Sequence, residues 1–304
     1  MMTYKDFMWS FQSPQQKFTI GKVMLGGVPG ENPTVLIGSI FYHNQKRIWI
    51  NAVDGVFNCE EAGKLIKLQE EFTDKTGLQS MLDVIIPSGR CIEKIIDFVC
   101  SVTDSPILID SPSVNSRVEA LKYAEEVGVL ERCIYNSLNP ESSESEIIKV
   151  KEIGVESVVL LAYDTKDLTS NGKVKAIKKL IPKVKELKIL IDTCVIDIPS
   201  LGLALKAMFN LKSEYGYPIG CGAHNAIETW RGLKTKMGAQ SVNPCIAAAN
   251  TITLAAGADF ILYGPIENAP IVFPAVAMVN AAFSQLLIEE GKLPSKNNPI
   301  FKIG

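Results

Sequence analysis

Histidine is nearly missing from this chain. Among 304 residues only His43 and His224 carry an imidazole, and neither H-x-H nor H-x-x-x-H spacing occurs. A histidine-based transition-metal centre is thereby excluded, which leaves Mg²⁺ on several carboxylates as the one metal reading with any support; no metal is assigned. The 7 cysteines (Cys59, Cys91, Cys100, Cys133, Cys194, Cys221, Cys245) contain no C-x-x-C. That speaks against a thiolate zinc site and a disulfide scaffold, so reduced thiols in a cytoplasmic protein are expected. Cys194 and Cys221 fall near strand ends, but a small buried hydrophobe is the default role for both. No G-x-x-x-x-G-K-[ST] loop is present to cradle a triphosphate.

Charge of one sign is also lacking. Lysine plus arginine number 31 against 33 aspartates plus glutamates, a formal charge of −2, so no overall field draws in nucleic acid or an anionic membrane. No apolar run reads as long enough for a membrane segment, and the opening MMTYKDFMWSFQS is too polar and short for a leader. The absences converge on a soluble protein that handles a small molecule.

What is abundant is apolar residues, 47% of the chain, enough for a large core. They recur as short β-branched runs that close on a polar residue: TVLIGSIFYH (34–43), SMLDVII (80–86), PILIDS (106–111), CIYNSL (133–138), ESVVLLAYD (156–164), KILIDT (188–193), PIGCGAHN (218–225) and DFILYG (259–264). Between them lie stretches with helical spacing at 60–77, 91–102, 115–128, 142–154, 174–187 and 199–216, the pair AIETWRGLKTKMG and PCIAAANTITLAAG, and 270–291. The lysine-rich run 173–188 reads as a solvated helix face.

A repeat of about 32 residues, taken eight times, matches the roughly 250 residues of a (β/α)₈ TIM barrel. Strict alternation predicts parallel strands joined by right-handed crossovers, and near-continuous apolar strands fit burial on both faces. The expectation is one domain over 1–304, with an amino-terminal hairpin at about 15–30 whose Gly21-Lys22 pair suits a type II′ turn and whose strands plug one barrel end.

All strand carboxyl ends of such a barrel open on one face, and that face carries the active site. The residues there are His43 and Asn44, Asp83, Asp110 and Ser111, Asn136 and Ser137, Asp164, Asp192, His224 and Asn225, then Tyr263, Glu267 and Asn268. Any one of these could cap a helix or shape a turn. Yet Asp83, Asp110 and Asp192 lie inside or against apolar runs, where a carboxylate needs a partner, and a ligand with N–H donors supplies one.

The corner YPIGCGAHNAIETW (217–230) invites three readings. As a dinucleotide loop it fails, because G-x-G-x-x-N lacks the third glycine and the distal acidic residue. Asn225-Ala-Ile-Glu228 fits a capping box, while the small residues before it suit close approach of another group, as at an active-site corner. His224 has no sequence-adjacent carboxylate to orient it as a base and reads as a structural or rim residue.

The phrases GGVPGENPTVLIGSIFY, ILIDSPS, IYNSLNPE, ILIDTCVIDIPSLGLA, PIGCGAHNAI and ADFILYGPIENAPIVFPAVAMV closely resemble the H subunit of tetrahydromethanopterin S-methyltransferase and bacterial relatives that methylate tetrahydrofolate from methylcobamide. More distantly the chain resembles the corrinoid/iron-sulfur protein methyltransferases and the dihydropteroate synthases. The resemblance implies methyl transfer between N5 of a reduced pterin, bound in the barrel mouth, and the cobalt of a corrinoid. It implies tetrahydrofolate as substrate, with methyltetrahydromethanopterin or a non-catalytic pterin-binding subunit as alternatives. The family's ring-binding aspartates and its N5-facing amide fall at Asp83, Asp164 and Asn225, with Asp83 and Asn225 cast as catalytic. Asp110, Ser111, Asn136 and Asp192 complete the expected pterin set, and His224 and Glu267 stand at its edge. A further family asparagine has Ser113 or Asn115 in its neighbourhood. Neither YHNQKR nor GAHNAI fits the corrinoid motif D-x-H-x-x-G, so the cobalamin is expected on a partner protein. A homodimer is implied by resemblance.

Overall fold

A computed structural model describes residues 9–304; residues 1–8, most of the stretch read as too polar for a leader, lie outside it. The chain enters through an antiparallel hairpin, β1 (Lys17–Ile20) and β2 (Val23–Gly26), paired Phe18 to Leu25 and Ile20 to Val23. Gly21 turns it with φ 50°, the left-handed backbone that glycine adopts without a Cβ clash.

Eight parallel strands follow in a closed barrel: β3 (Val35–Ile40), then, after the small pair β4 (Trp49–Asn51) and β5 (Val56–Phe57), β6 (Ser80–Ile85), β7 (Ile107–Asp110), β8 (Cys133–Leu138), β9 (Ser157–Leu161), β10 (Lys188–Asp192), β11 (Ile219–Cys221) and β12 (Phe260–Pro265). Strand β12 pairs with β3 to close the ring. The expected (β/α)₈ fold is the observed one.

Alternation along each strand makes two cores. Outward residues such as Leu36, Ile40, Leu82, Ile109 and Ile191 pack beneath the helices. Inward residues Val35, Ile37, Met81, Leu108, Ile134, Val159, Leu190, Phe260 and Leu262 fill the barrel, and Ile20, Val23 and Leu25 of the hairpin join them. The hairpin therefore closes the amino-terminal end with buried side chains, and the opposite end is left to polar groups.

Helices α1 (Cys59–Thr76), α2 (Ile92–Val102), α3 (Val114–Glu126), α4 (Glu144–Glu152), α5 (Ser170–Leu180) and α6 (Ile198–Tyr215) alternate with the strands. Several start on a side chain that satisfies an orphan backbone N–H: Asn58, Ser113, Ser143, Thr169 and Asp197 accept from Glu61, Ser116, Glu146, Gly172 and Ser200. The AIETWRGLKTKMG segment breaks into two short helices, α7 (Asn225–Glu228) and α8 (Gly232–Met237), before α9 (Val242–Ala255) and α10 (Ala269–Glu289).

One element lies outside the expectations and two expectations need correction. The pair β4–β5 was unanticipated, although Asp54-Gly55 is a common hairpin-turn dipeptide. Lys173 is not on a solvated face but 2% exposed, its stem running inward from the first turn of α5. Finally, Ile266–Glu289 is long and apolar enough to cross a membrane by length and composition, against the reading that no run was. In this fold α10 is the last barrel helix, laid against α1 and α9 with Val272, Phe273, Val276 and Ala277 in the outer core.

Candidate functional site

Counting two residues on from each inward apolar residue gives the floor of the barrel mouth. Ile37 leads to Ser39, Met81 to Asp83, Leu108 to Asp110, Ile134 to Asn136 and Leu190 to Asp192, so the period of two sets a polar layer directly on the apolar filling. The register supports it, with Ser39 beside Asp83 and Asp110 beside Asn136. Asp83 accepts the Ser39 hydroxyl at 2.7 Å on Oδ2 and the Asn136 amide at 3.2 Å on Oδ1.

Capping does not explain these residues. Helices α3, α4 and α6, which follow β7, β8 and β10, are capped by Ser113, Ser143 and Asp197, which leaves Asp110, Asn136 and Asp192 for other work. Ser113 and Asn115 themselves do not reach the layer: the first caps and the second is exposed on α3.

Burial dominates the electrostatics. It raises the carboxyl of Asp83 to about 8, with repulsion from Asp110 and Asp192 adding to it and the Ser39 and Asn136 hydrogen bonds opposing. Asp110 is raised to about 6 by burial, opposed by the Arg117 guanidinium and the Ser111 backbone. Asp192 is likewise raised to about 6 by burial, opposed by the Cys194 N–H, the Lys173 charge and the Gly222 N–H. Three carboxyls in low dielectric form a layer whose charged state further N–H donors from a ligand would favour.

Arg117, missed in the sequence, stands behind Asp110. It donates to the Ser111 carbonyl, to Tyr135 Oη at 3.1 Å and to Glu146 Oε1 at 3.1 Å, and Tyr135 also donates to Glu146 at 2.7 Å. Its only sequence signal is an arginine on an otherwise ordinary helix. Ser39 had a clearer one, a hydroxyl at the inward position of an apolar run.

Other expected residues fall elsewhere. Asp164 lies just beyond the end of β9, where its Oδ1 accepts the Lys166 N–H at 2.9 Å in an Asx-turn. Ser111 is buried, with its hydroxyl accepting the Ser113 N–H at 3.2 Å, a local turn rather than a mouth contact. Glu267 sits beside β3 and not in the carboxylate layer: Oε1 accepts Gln45 Nε2 at 3.0 Å and Tyr42 Oη at 3.3 Å, and burial with the Glu267 charge raises the Tyr42 phenol.

At the corner, the capping box is overturned. His224, not Asn225, precedes the helix, and its φ −58°, ψ −31° is already helical; no side chain caps α7. Asn225 instead donates Nδ2 to the Val195 carbonyl at 2.9 Å, and its Oδ1 accepts no hydrogen bond among the described residues. His224 Nδ1 meets the Leu262 carbonyl at 2.9 Å, which makes Nδ1 the protonated nitrogen. The ring packs on Gly264, where a Cβ would stand 2.5 Å from His224 Cγ. Burial pushes the Cys194 thiol up to about 12 and the Cys221 thiol well up, so neither is a thiolate at neutral pH. Among the described residues no three of His, Cys, Asp and Glu are grouped to hold a metal ion.

Comparison with known proteins adds the family. Residues 13–292 match the family model described as tetrahydromethanopterin S-methyltransferase MtrH subunit. The H subunit of tetrahydromethanopterin S-methyltransferase from Methanothermobacter thermautotrophicus is 36% identical over 310 residues, covering 97% of this chain and 100% of that one. The H subunit of the putative methyltransferase mtx of Methanosarcina mazei is 34% identical, covering 96% and 99%. Among solved structures, Yersinia pestis dihydropteroate synthase with a pterine-sulfa conjugate superposes with TM-score 0.61 at 13% identity, covering 89% of this chain and 100% of that one. The Xanthomonas albilineans dihydropteroate synthase gives 0.58 at 15%, covering 88% and 98%. At such identities these two establish the barrel fold alone.

Proposed function

From a chain that belongs to the tetrahydromethanopterin S-methyltransferase MtrH subunit family, we infer a methyltransferase that moves a methyl group between N5 of a reduced pterin in the barrel mouth and the cobalt of a corrinoid carried by a partner protein. The observation that carries this reading is the layer of Asp110, Asn136 and Asp192 on its apolar floor. A reduced pterin presents a 2-amino group and N3–H side by side, donors that a carboxylate accepts in bidentate fashion. Asp110 and Asp192 are the carboxylates for it, and Asp83, held by Ser39 and Asn136, lies beneath as support.

Tetrahydromethanopterin, named in the relatives, takes precedence over tetrahydrofolate as the pterin. Tetrahydrofolate is the second reading and is tested in the same cuvette. In the direction that forms methylpterin, the Co–C bond breaks with its electron pair left on cobalt, the N5–C bond forms and the N5 proton leaves. In-line transfer needs N5, methyl and cobalt aligned, which fixing the ring achieves. Asn225 Oδ1 accepts a hydrogen bond from N5–H and orients it, and the proton itself passes to water. A cytoplasmic location and a homodimer belong to the same proposal.

The test is anaerobic incubation with methylcobalamin and either pterin while the methylcobalamin absorbance is followed. Loss of that absorbance, faster with tetrahydromethanopterin, is expected; no turnover with either pterin overturns the enzyme reading. Asp110→Asn and Asp192→Asn should each weaken pterin binding at least about tenfold, since a hydrogen bond to a charged group is worth roughly 1.5–3 kcal/mol. Unchanged affinity in both would remove them from the site.

A further inference from the structure

Lys173 is the one lysine of its run with no place in the solvent. It is 2% exposed, and its ammonium donates to the Cys194 carbonyl at 2.8 Å. Lysine is almost never fully buried unless paired, so an ammonium held inside on a single backbone carbonyl calls for an explanation beyond helix packing.

The segment it grips is unusual. Residues 192–195 leave β10 through Cys194, whose φ of 56° is left-handed for a residue with a side chain. Asp192 Oδ1 accepts the Cys194 N–H at 2.7 Å, Thr193 N–H donates to the Gly220 carbonyl at 2.9 Å, and the Val195 carbonyl takes the Asn225 amide at 2.9 Å. One short bend thus orients two residues proposed to touch the pterin, Asp192 through its own N–H and Asn225 through its own carbonyl. The carbonyl between them is the one Lys173 holds.

We infer that Lys173 is a positioning residue for methyl transfer: from α5 its ammonium pins the 192–195 bend and so sets Asp192 and Asn225 together against the pterin. This deepens the proposed function and rests on it for the identity of the ligand. The titratable groups facing Asp192 are Lys173 from α5, Cys194 from its own bend, Cys221 from β11 and Asp83 across the barrel. Among them Lys173 supplies the one positive charge, which opposes the rise that burial imposes on the Asp192 carboxyl.

Two variants separate charge from hydrogen bonding. Lys173→Met removes both, and Lys173→Gln keeps an N–H donor for the Cys194 carbonyl. The first readout uses the full chain without ligand: carbon-13 carboxyl NMR of aspartate-labelled protein, with Asp192 assigned through Asp192→Asn. The second is tetrahydromethanopterin affinity across pH 5–8.

Both variants should move the Asp192 titration to higher pH. Lys173→Met should weaken pterin binding about tenfold or more at pH 6, with Lys173→Gln recovering part of the loss. An Asp192 titration that stays put in both, with only the unfolding temperature lowered, overturns the inference and leaves Lys173 a packing residue. If Lys173→Met does not fold, the Lys173→Gln titration decides alone. A titration that moves while the unmodified protein binds neither pterin sustains the Lys173 link to Asp192 and sinks the methyltransferase reading instead.

Discussion

Asn225 commits its amide nitrogen to the Val195 carbonyl and leaves its oxygen without a hydrogen bond among the described residues, a division that the amide's two ends make possible. Because no side chain caps α7, removing this one is not a helix-capping defect. Asn225→Ala should therefore lower turnover about 10–100-fold, the equivalent of roughly 1.4–2.7 kcal/mol of transition-state hydrogen bonding, while pterin affinity changes much less. Stability should fall by about 1 kcal/mol, the worth of one hydrogen bond. Stopped-flow rates beside calorimetric affinities check it, and equal losses in both would assign Asn225 to ground-state binding. The same residue marks the limit of sequence reading. Asn-Ala-Ile-Glu has the spacing of a capping box, but a box needs extended backbone at the cap, and no spacing rule reports that residue 224 is already helical. Asp83, Asp110, Asn136 and Asp192 were legible because a polar residue in an apolar run stands out. Asp164, with the same composition signal, belongs to a turn, and Lys173 was hidden in a helix whose other lysines, Lys175, Lys178 and Lys179, face water.

Elements were easier to read than side chains. Parallel strands buried on both faces leave unbroken apolar runs, which is why each barrel strand appeared in the sequence within a few residues of its place. The β4–β5 pair escaped because its strands are short and largely exposed, with Ile50 71% accessible. Also invisible was the pairing of Lys212 on α6 with Asp259 before β12. The ammonium is within 2.8 Å of both carboxylate oxygens and 3.2 Å of the Gly27 carbonyl, and Asp259 also takes the Ile219 N–H. This cluster ties α6, β11, β12 and the chain after the hairpin at the amino-terminal end, with lysine side chain 0% exposed and aspartate 7%. Lys212→Met should destabilise the fold by about 3–5 kcal/mol, because it strands a buried carboxylate. Adding Asp259→Asn should recover part of the loss, as urea unfolding of the single and double variants would show. A double variant less stable than Lys212→Met would mean that the aspartate's backbone contacts outweigh its charge.

For the whole molecule, the carboxylate layer makes stability depend on pH in a direction opposite to that of ordinary surface acids. Asp83, Asp110 and Asp192 hold their protons to higher pH in the folded chain, to about 8, 6 and 6, than their ordinary value of 3.8. Between those limits the folded state binds more protons than the unfolded one, so stability falls as pH rises. From pH 6 to 8 Asp83 carries most of the decline, while Asp110 and Asp192 lose the last of their protons at the lower end of that window. Urea unfolding at pH 6, 7 and 8 should therefore show a decline of at least about 1 kcal/mol, since each tenfold difference in proton affinity between folded and unfolded chain is worth roughly 1.36 kcal/mol. Asp83→Asn cannot ionise, and its curve should fall less steeply than the parent's over the same window, keeping only the share from Asp110 and Asp192 near pH 6. Equal slopes in the two proteins would mean that Asp83 titrates as an ordinary carboxyl, and the layer would lose its low-dielectric character. A pterin that donates hydrogen bonds to Asp110 and Asp192 stabilises their ionised forms, so its binding should release protons near pH 6. Affinity should then climb from pH 5 to 7, measured by calorimetry in buffers of differing ionisation enthalpy, which ties the decline in stability of the empty barrel to its readiness for the ligand.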